Sequence, residues 1–161
     1  PYTTLFRSIC DSPAGIERGA FYAMYFADRA VVVVNPEVSS VRDSDRVLGI
    51  MSSKSRRAEQ GQSPIKEHLL LTRYSPDRVE KGDMMSIADV QEILGLEVLG
   101  VIPESESVLA GSNAGNPVIL DTASPAGQAY DDAVGRLLGD SVPMRFTEAQ
   151  KKGFLSRLFG G

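Results

Sequence analysis

Three short apolar runs dominate the sequence: AVVVV at 30–34, EHLLLTRY at 67–74 and LEVLGVIP at 96–103. A continuous β-branched or leucine run marks a strand covered on both faces, whereas a half-exposed strand alternates apolar with polar residues. Each gap between the runs is long enough to hold a helix, and parallel neighbours require such a crossover. The spacing therefore predicts right-handed βαβ crossovers and a three-layer α/β domain, a parallel sheet with helices on both faces.

The intervening segments carry helix patterns. In IERGAFYAMYFADR (16–29), Ile16, Ala20, Ala23, Met24 and Ala27 share a helical face, and the aromatic residues beside them predict a largely buried helix. After Asn35-Pro36, Ser39 or Ser40 offers an N-cap for a helix to about Arg57, with Val41, Val47, Leu48 and Met51 as core positions. Ser86 is placed to cap IADVQEIL, and Gly95 to end it. SPDRVEKGD reads as an exposed loop, and 104–117 as a polar connection with one short helical turn. PAGQAYDDAVGRLL (125–138) is amphipathic through Ala129, Ala133, Val134, Leu137 and Leu138.

Composition narrows the functional classes. A net charge of −4 leaves no basic excess to replace counterions on a phosphate backbone, so nucleic acid is not an expected partner. The one cysteine, Cys10, forms no internal disulfide, and a single histidine, His68, leaves no metal-ligand cluster, which together fit a reducing cytoplasm. No apolar stretch approaches the ~20 residues needed to span a bilayer, and the first residues lack a signal-peptide pattern.

Two segments carry candidate chemistry. ICDSPAG (9–15) has the form of a strand end delivering an aspartate onto a glycine turn. Ligands of α/β sheets gather at strand carboxyl ends, where Asp11 could hold magnesium through water and Gly15 could bring its N–H to a terminal phosphate. The alternative is an ordinary turn in which Asp11 or Ser12 caps a helix. Cys10 is expected to pack in a buried strand, and His68 to be structural. At the other end, EAQKKGFLSRLFGG (148–161) places Phe154, Leu155, Leu158 and Phe159 on one helical arc, with Lys152 and Arg157 near its borders. Lys151 falls on the apolar side, from which its stem can snorkel. The pattern suits an interfacial helix on anionic lipids, or else a helix docked on its own domain or on a partner. Four large apolar side chains at ~1.5–3 kcal/mol each, less ordering and incomplete burial, give one tail only weak membrane affinity. Pairing two tails in a dimer raises avidity by ~10²–10⁴. The charged segments KSRRAE and VRDSDR read as solvated helix surface or as partner contacts.

Taken together, ICDSPAGIERGA, NPEVSSVRDSDRVLGIMSSKSRRAE, PIKEHLLLTRYSP, KGDMMSIADVQEILGLEVLGVIPE, SNAGNPVILD and KKGFLSRLFGG resemble the C-terminal part of the MinD septum site-determining ATPases, a deviant Walker A family. The resemblance extends from Ile9 to Gly161. It implies a P-loop NTPase-like sheet truncated at its N-terminus. The activity implied is ATP hydrolysis with Mg2+, with ATP-driven homodimerisation, attachment to the inner face of the cytoplasmic membrane, and recruitment of MinC against FtsZ ring assembly. MinE would stimulate hydrolysis and release. DSPAG would be the switch II segment, with Asp11 near magnesium and Gly15 near the terminal phosphate. Thr72 and Arg73, and Pro103 with Glu104, match segments bordering the nucleotide base. Ser39 and Asp43 fall on the dimer and partner surface, and Lys151, Lys152, Phe154, Leu155, Arg157, Leu158 and Phe159 in the membrane-targeting sequence.

One departure is large. The family's KGGVGKT loop holds the phosphates through backbone N–H groups and lysines, and neither GKT nor GKS occurs in these 161 residues. The expectation is that the chain by itself neither binds ATP tightly nor hydrolyses it. Residues 1–8, PYTTLFRS, resemble a translated sequencing adapter, which predicts three parts: 1–8 as a non-native segment, 9–146 as the C-terminal part of the ATPase domain, and 147–161 as the tail. Two other classes compete, a non-enzymatic membrane-associated adaptor and a relative of the chromosome-partitioning ATPases.

Overall fold

The computed structural model describes residues 8–148; residues 1–7 and the expected membrane helix lie outside the described residues. In order the elements are α1 (Arg18–Tyr25), β1 (Arg29–Val34), α2 (Val38–Lys54), α3 (Arg56–Glu59), β2 (Lys66–Tyr74), α4 (Pro76–Glu80), α5 (Ile87–Leu94), β3 (Glu97–Pro103), α6 (Glu106–Ala114), a 3-10 turn (Val118–Leu120) and α7 (Pro125–Leu138). The strands pair in parallel in the order β1-β2-β3, with Val33 opposite Leu70 and Leu71 opposite Val101.

Side-chain alternation divides the core in two. Val32, Val34, Leu69, Leu71 and Val101 pack on one face against Val41, Leu48 and Met51 of α2 and Val90 and Leu94 of α5. On the other face Leu70, Leu99 and Ile102 meet Ala126, Ala129 and Ala133 of α7. Gly100 permits that close approach, because a Cβ there would lie 2.8 Å from the Cβ of Ala133. A register shift beside Leu69 and Leu70 puts Leu99 and Gly100 together under α7, and the carbonyl of Leu99 accepts a hydrogen bond from Arg136 Nε at 2.5 Å.

Several expectations are met at the level of single residues. Helix α5 opens on Ser86, whose hydroxyl accepts the Asp89 N–H while the Asp89 carboxylate accepts the Ser86 N–H, each at 3.1 Å. It closes on Gly95 at φ 65°, a conformation that suits glycine. The Ser86 hydroxyl and amide hold the Asp89 carboxyl below its usual range. Helix α7 occupies the expected 125–138; the structure adds its bounds, a cap at Ser124, Pro125 in the first turn and Gly139 at φ 106°.

Other elements differ from the sequence reading. The run AVVVV is covered on one face only among the described residues: Val31 and Val33 are exposed, because α7 lies over β2 and β3 and nothing described lies over β1. Helix α1 is shorter than predicted and buries only Ala20 and Met24; Tyr22 and Phe26 are exposed on its outer arc. Cys10 is exposed, and no strand forms at 8–14 among the described residues, so its expected burial is corrected. Helix α2 starts at Val38 on Glu37, because the Ser40 hydroxyl instead accepts the Asn35 N–H at 3.3 Å, and the helix breaks at buried Ser55 before α3. The loop expected at SPDRVEKGD contains α4, which tolerates Pro76 in its first turn. The connection after β3 contains α6, capped by Ser105 and ended by Gly115 at φ 71°.

His68 is buried in β2, and its Nε2 has no hydrogen-bond partner. Burial, followed by the positive charge of Lys66, lowers its pKa, against a smaller opposite effect of Glu97 and a further lowering by Arg29. With a folded pKa below the ordinary ~6.5, the unfolded chain binds more protons in that window, so stability rises with pH. Urea titrations should therefore show stability falling as pH drops below about 6.5 towards the depressed folded pKa, and His68→Leu should flatten that slope. An unchanged slope in the variant would assign the pH dependence elsewhere.

Candidate nucleotide edge and partner surface

The carboxyl ends of the three strands bring a polar row to one edge of the sheet. Asn35 follows β1, Thr72 and Arg73 lie near the end of β2, and Glu104 follows Pro103 at the end of β3. The Thr72 hydroxyl donates to Asn35 Oδ1 at 2.9 Å, and the Glu104 N–H donates to the Tyr74 carbonyl at 2.9 Å. Arg73 adopts φ 56°, within a register shift between Leu71 and Tyr74, and its guanidinium lies 4.0 Å from the Glu104 carboxylate. A non-glycine residue in the left-handed region is costly and concentrates at functional sites. Here the turn splays an exposed guanidinium away from the strand while the Tyr74 side chain returns to the core.

Of the expected nucleotide residues, Thr72, Arg73, Pro103 and Glu104 thus converge on one edge. Asn35, which the sequence reading did not number among the nucleotide residues, joins them. The signal was present, since an amide side chain directly after a buried parallel strand occupies the ligand end of the sheet. Asp11 and Gly15 are on the exposed loop before α1, where Gly15 has φ 89° and no hydrogen bond or ion pair joins the Asp11 carboxylate to another described residue.

Amide, hydroxyl and guanidinium groups at the edge suit the planar, donor- and acceptor-bearing rim of a nucleobase. The residues present do not equally fit a polyphosphate with magnesium. Among the described residues no group of three or more His, Cys, Asp or Glu side chains is placed to hold a metal, and Asp11 with Gly15 are the only expected phosphate-side residues. What the edge offers among the described residues is therefore an amide, a hydroxyl, a guanidinium and a carboxylate at the strand carboxyl ends.

A second surface lies on α2. Ser39 and Asp43, four residues apart, are both exposed and share a helical stripe. Beside them Val38, Val41, Arg42 and Asp45 line a shallow groove closed by Met85 and Ile93, and both Val38 and Ile93 are solvent-exposed. The arrangement offers apolar contact flanked by both charge signs.

A parallel sheet with helices on both faces and its polar row at the strand carboxyl ends is the architecture of the P-loop ATPases of the MinD and ParA type. No family model matches the chain. The sequence is 67% identical over 153 residues to the septum site-determining protein MinD of Escherichia coli K12, covering 95% of this chain and 57% of that protein. Among solved structures it resembles the MinD cell division protein of Aquifex aeolicus (41% identity, TM-score 0.74, covering 84% of this chain and 54% of that one) and the MinC:MinD complex of the same organism (40%, 0.73, 85% and 53%). It also resembles the MinD of Pyrococcus horikoshii OT3 complexed with Mg-ADP (25%, 0.64, 80% and 50%). The chain is thus recognised as a C-terminal part of a MinD-type protein, and it spans little more than half the length of these relatives.

The Asn35–Thr72 bond is the only side-chain link found between β1 and β2 at this edge among the described residues. A double-mutant cycle with Asn35→Ala and Thr72→Val should give a coupling of about 0.5–1.5 kcal/mol in urea unfolding. Strict additivity would show that the two side chains do not hold the edge.

Proposed function

We propose that the chain is the carboxyl-terminal share of a MinD-type, ATP-dependent regulator of division-site (FtsZ ring) placement that works at the inner face of the cytoplasmic membrane. The observation that carries this reading is the 67% identity to E. coli MinD across 95% of the chain. In this reading Asn35, Thr72, Arg73, Pro103 and Glu104 border the base of ATP, while Asp11 and Gly15 supply the switch on its phosphate side. The relative solved with Mg-ADP supports nucleotide and magnesium as the ligands. The phosphates themselves need the glycine-rich lysine loop, which these 161 residues lack, so the chain alone binds ATP weakly and does not hydrolyse it.

The α2 stripe of Ser39 and Asp43, with its adjoining apolar groove, is the partner and dimer surface in this reading. The Aquifex MinC:MinD complex supports MinC as one partner; MinE and a second copy of the chain are the others proposed. Lys151, Lys152, Phe154, Leu155, Arg157, Leu158 and Phe159 attach the protein reversibly to anionic lipid. The absence of GKT and GKS favours one second reading, a membrane-associated adaptor that uses the α2 surface without nucleotide.

Flotation with vesicles containing anionic phospholipid tests the reading. The chain should float with the vesicles to the same extent with and without MgATP, and removal of residues 151–161 should reduce recovery at least tenfold. Undiminished flotation after removal would overturn the tail assignment, and flotation that rises with MgATP would overturn the inference from the missing loop.

A further inference from the structure

The chain after α7 does not leave the domain where the helix ends. Gly139 turns it back, and the Asp140 N–H donates to the Gly135 carbonyl at 2.9 Å. Arg136 Nη1 then donates to the carbonyls of Val142 and Pro143, both at 3.0 Å, while its Nε holds Leu99 of β3. Further along, Arg145 reaches the earlier part of α7. Its Nε and Nη2 donate to the two carboxylate oxygens of Asp132 at 2.6 Å each, and its Nη1 donates to Gln128 Oε1 at 3.1 Å. Its Nη2 also lies 3.5 Å from the Gln128 carbonyl. Phe146 packs against the cluster formed by Ile102, Ala126 and Ala129.

Two features make this more than a surface ion pair. Asp132 is 7% exposed, a buried carboxylate that needs a partner, and Arg145 meets it in the two-pronged geometry that fixes direction as well as charge. The contacts also run in order from residue 136 back to 128, so the segment retraces α7 for about 12 Å at 1.5 Å per residue. Helix α7 begins at the carboxyl end of β3, because its cap Ser124 shares a hydrogen bond with Ser107 in α6, just beyond Pro103. The retracing segment therefore carries the chain from the amino end of the sheet back towards the edge that holds Asn35, Thr72 and Glu104.

We propose that Gly139–Phe146 is a latched strap that sets where the C-terminal tail departs, beside the strand carboxyl edge, with Asp132–Arg145 as its latch and Arg136 as its pivot. Asp132 and Arg145 are positioning residues. The consequence for attachment rests on the membrane reading above: a tail leaving at the nucleotide edge is oriented by whatever assembles on that edge, whereas one leaving at the end of α7 is not. The strap itself does not depend on that reading.

Spin labels at Glu106→Cys and Glu148→Cys in a Cys10→Ser background test the strap on the full chain in solution, without lipid. Double electron–electron resonance should give one narrow distance distribution; Arg145→Gln should at least double its width, and Asp132→Asn should widen it less, with the far-UV circular dichroism of both preserved. If Arg145→Gln fails to fold, the Asp132→Asn variant alone decides. A broad distribution in the parent, or an unchanged width in the folded variants, would overturn the strap. Loss of vesicle flotation in the unsubstituted chain would overturn the membrane reading and leave the distance result standing.

Discussion

Strand β2 is the constraint on which the described structure depends. It is the middle strand, hydrogen-bonded on both sides, and it is covered on both faces, by α2 and α5 through Leu69 and Leu71 and by α7 through Leu70. Each of these leucines contributes roughly 1.5–3 kcal/mol of transfer free energy. That contribution exists only while both helical layers are in place, so β2 ties the two half-cores into one structure. It also accommodates the single unpartnered polar atom found buried among the described side chains, His68 Nε2, whose desolvation the surrounding apolar burial offsets.

Parallel pairing around β2 has a chemical result. It aligns the three strand ends, so that residues distant in sequence, Asn35, Thr72 and Glu104, arrive at one edge. The positive φ of Arg73 releases that side chain from the pleat at the point where the strand must stop. Arginines then fasten the outer parts of the domain. Arg57 binds Asp28 and Ser63 near the start of β1, and Arg136 and Arg145 fasten the last described segment to α7. A planar guanidinium with five donors suits this work, since one side chain can satisfy a carboxylate and several backbone carbonyls together.

Much of this was legible in the sequence where one local rule decided the outcome. Ser86 and Gly95 bound α5 as expected, because caps act within a single turn, whereas the bounds of α7 at Ser124 and Gly139, which follow the same rule, were not singled out. The convergence of Thr72, Arg73, Pro103 and Glu104 was legible because strand ends in a parallel sheet share an edge. Tertiary coverage was not. AVVVV reads as buried on both sides, yet only Val32 and Val34 are buried, since coverage of Val31 and Val33 requires an element that no residue within β1 encodes. Cys10 and the aromatic side of α1 failed for the same reason. Nothing in the 125–138 pattern marks Asp132 for burial; its partner Arg145 reaches it only after the chain reverses at Gly139.

If two-sided burial of β2 organises the domain, protection of the backbone should follow it. Amide hydrogen exchange resolved by residue over the full chain measures this directly. The amides of Leu69, Leu70 and Leu71 should be the slowest to exchange, at the rate of global unfolding, with those of Val31 and Val33 at least tenfold faster. Equal protection of β1 and β2, or faster exchange in β2, would contradict the central role assigned to that strand.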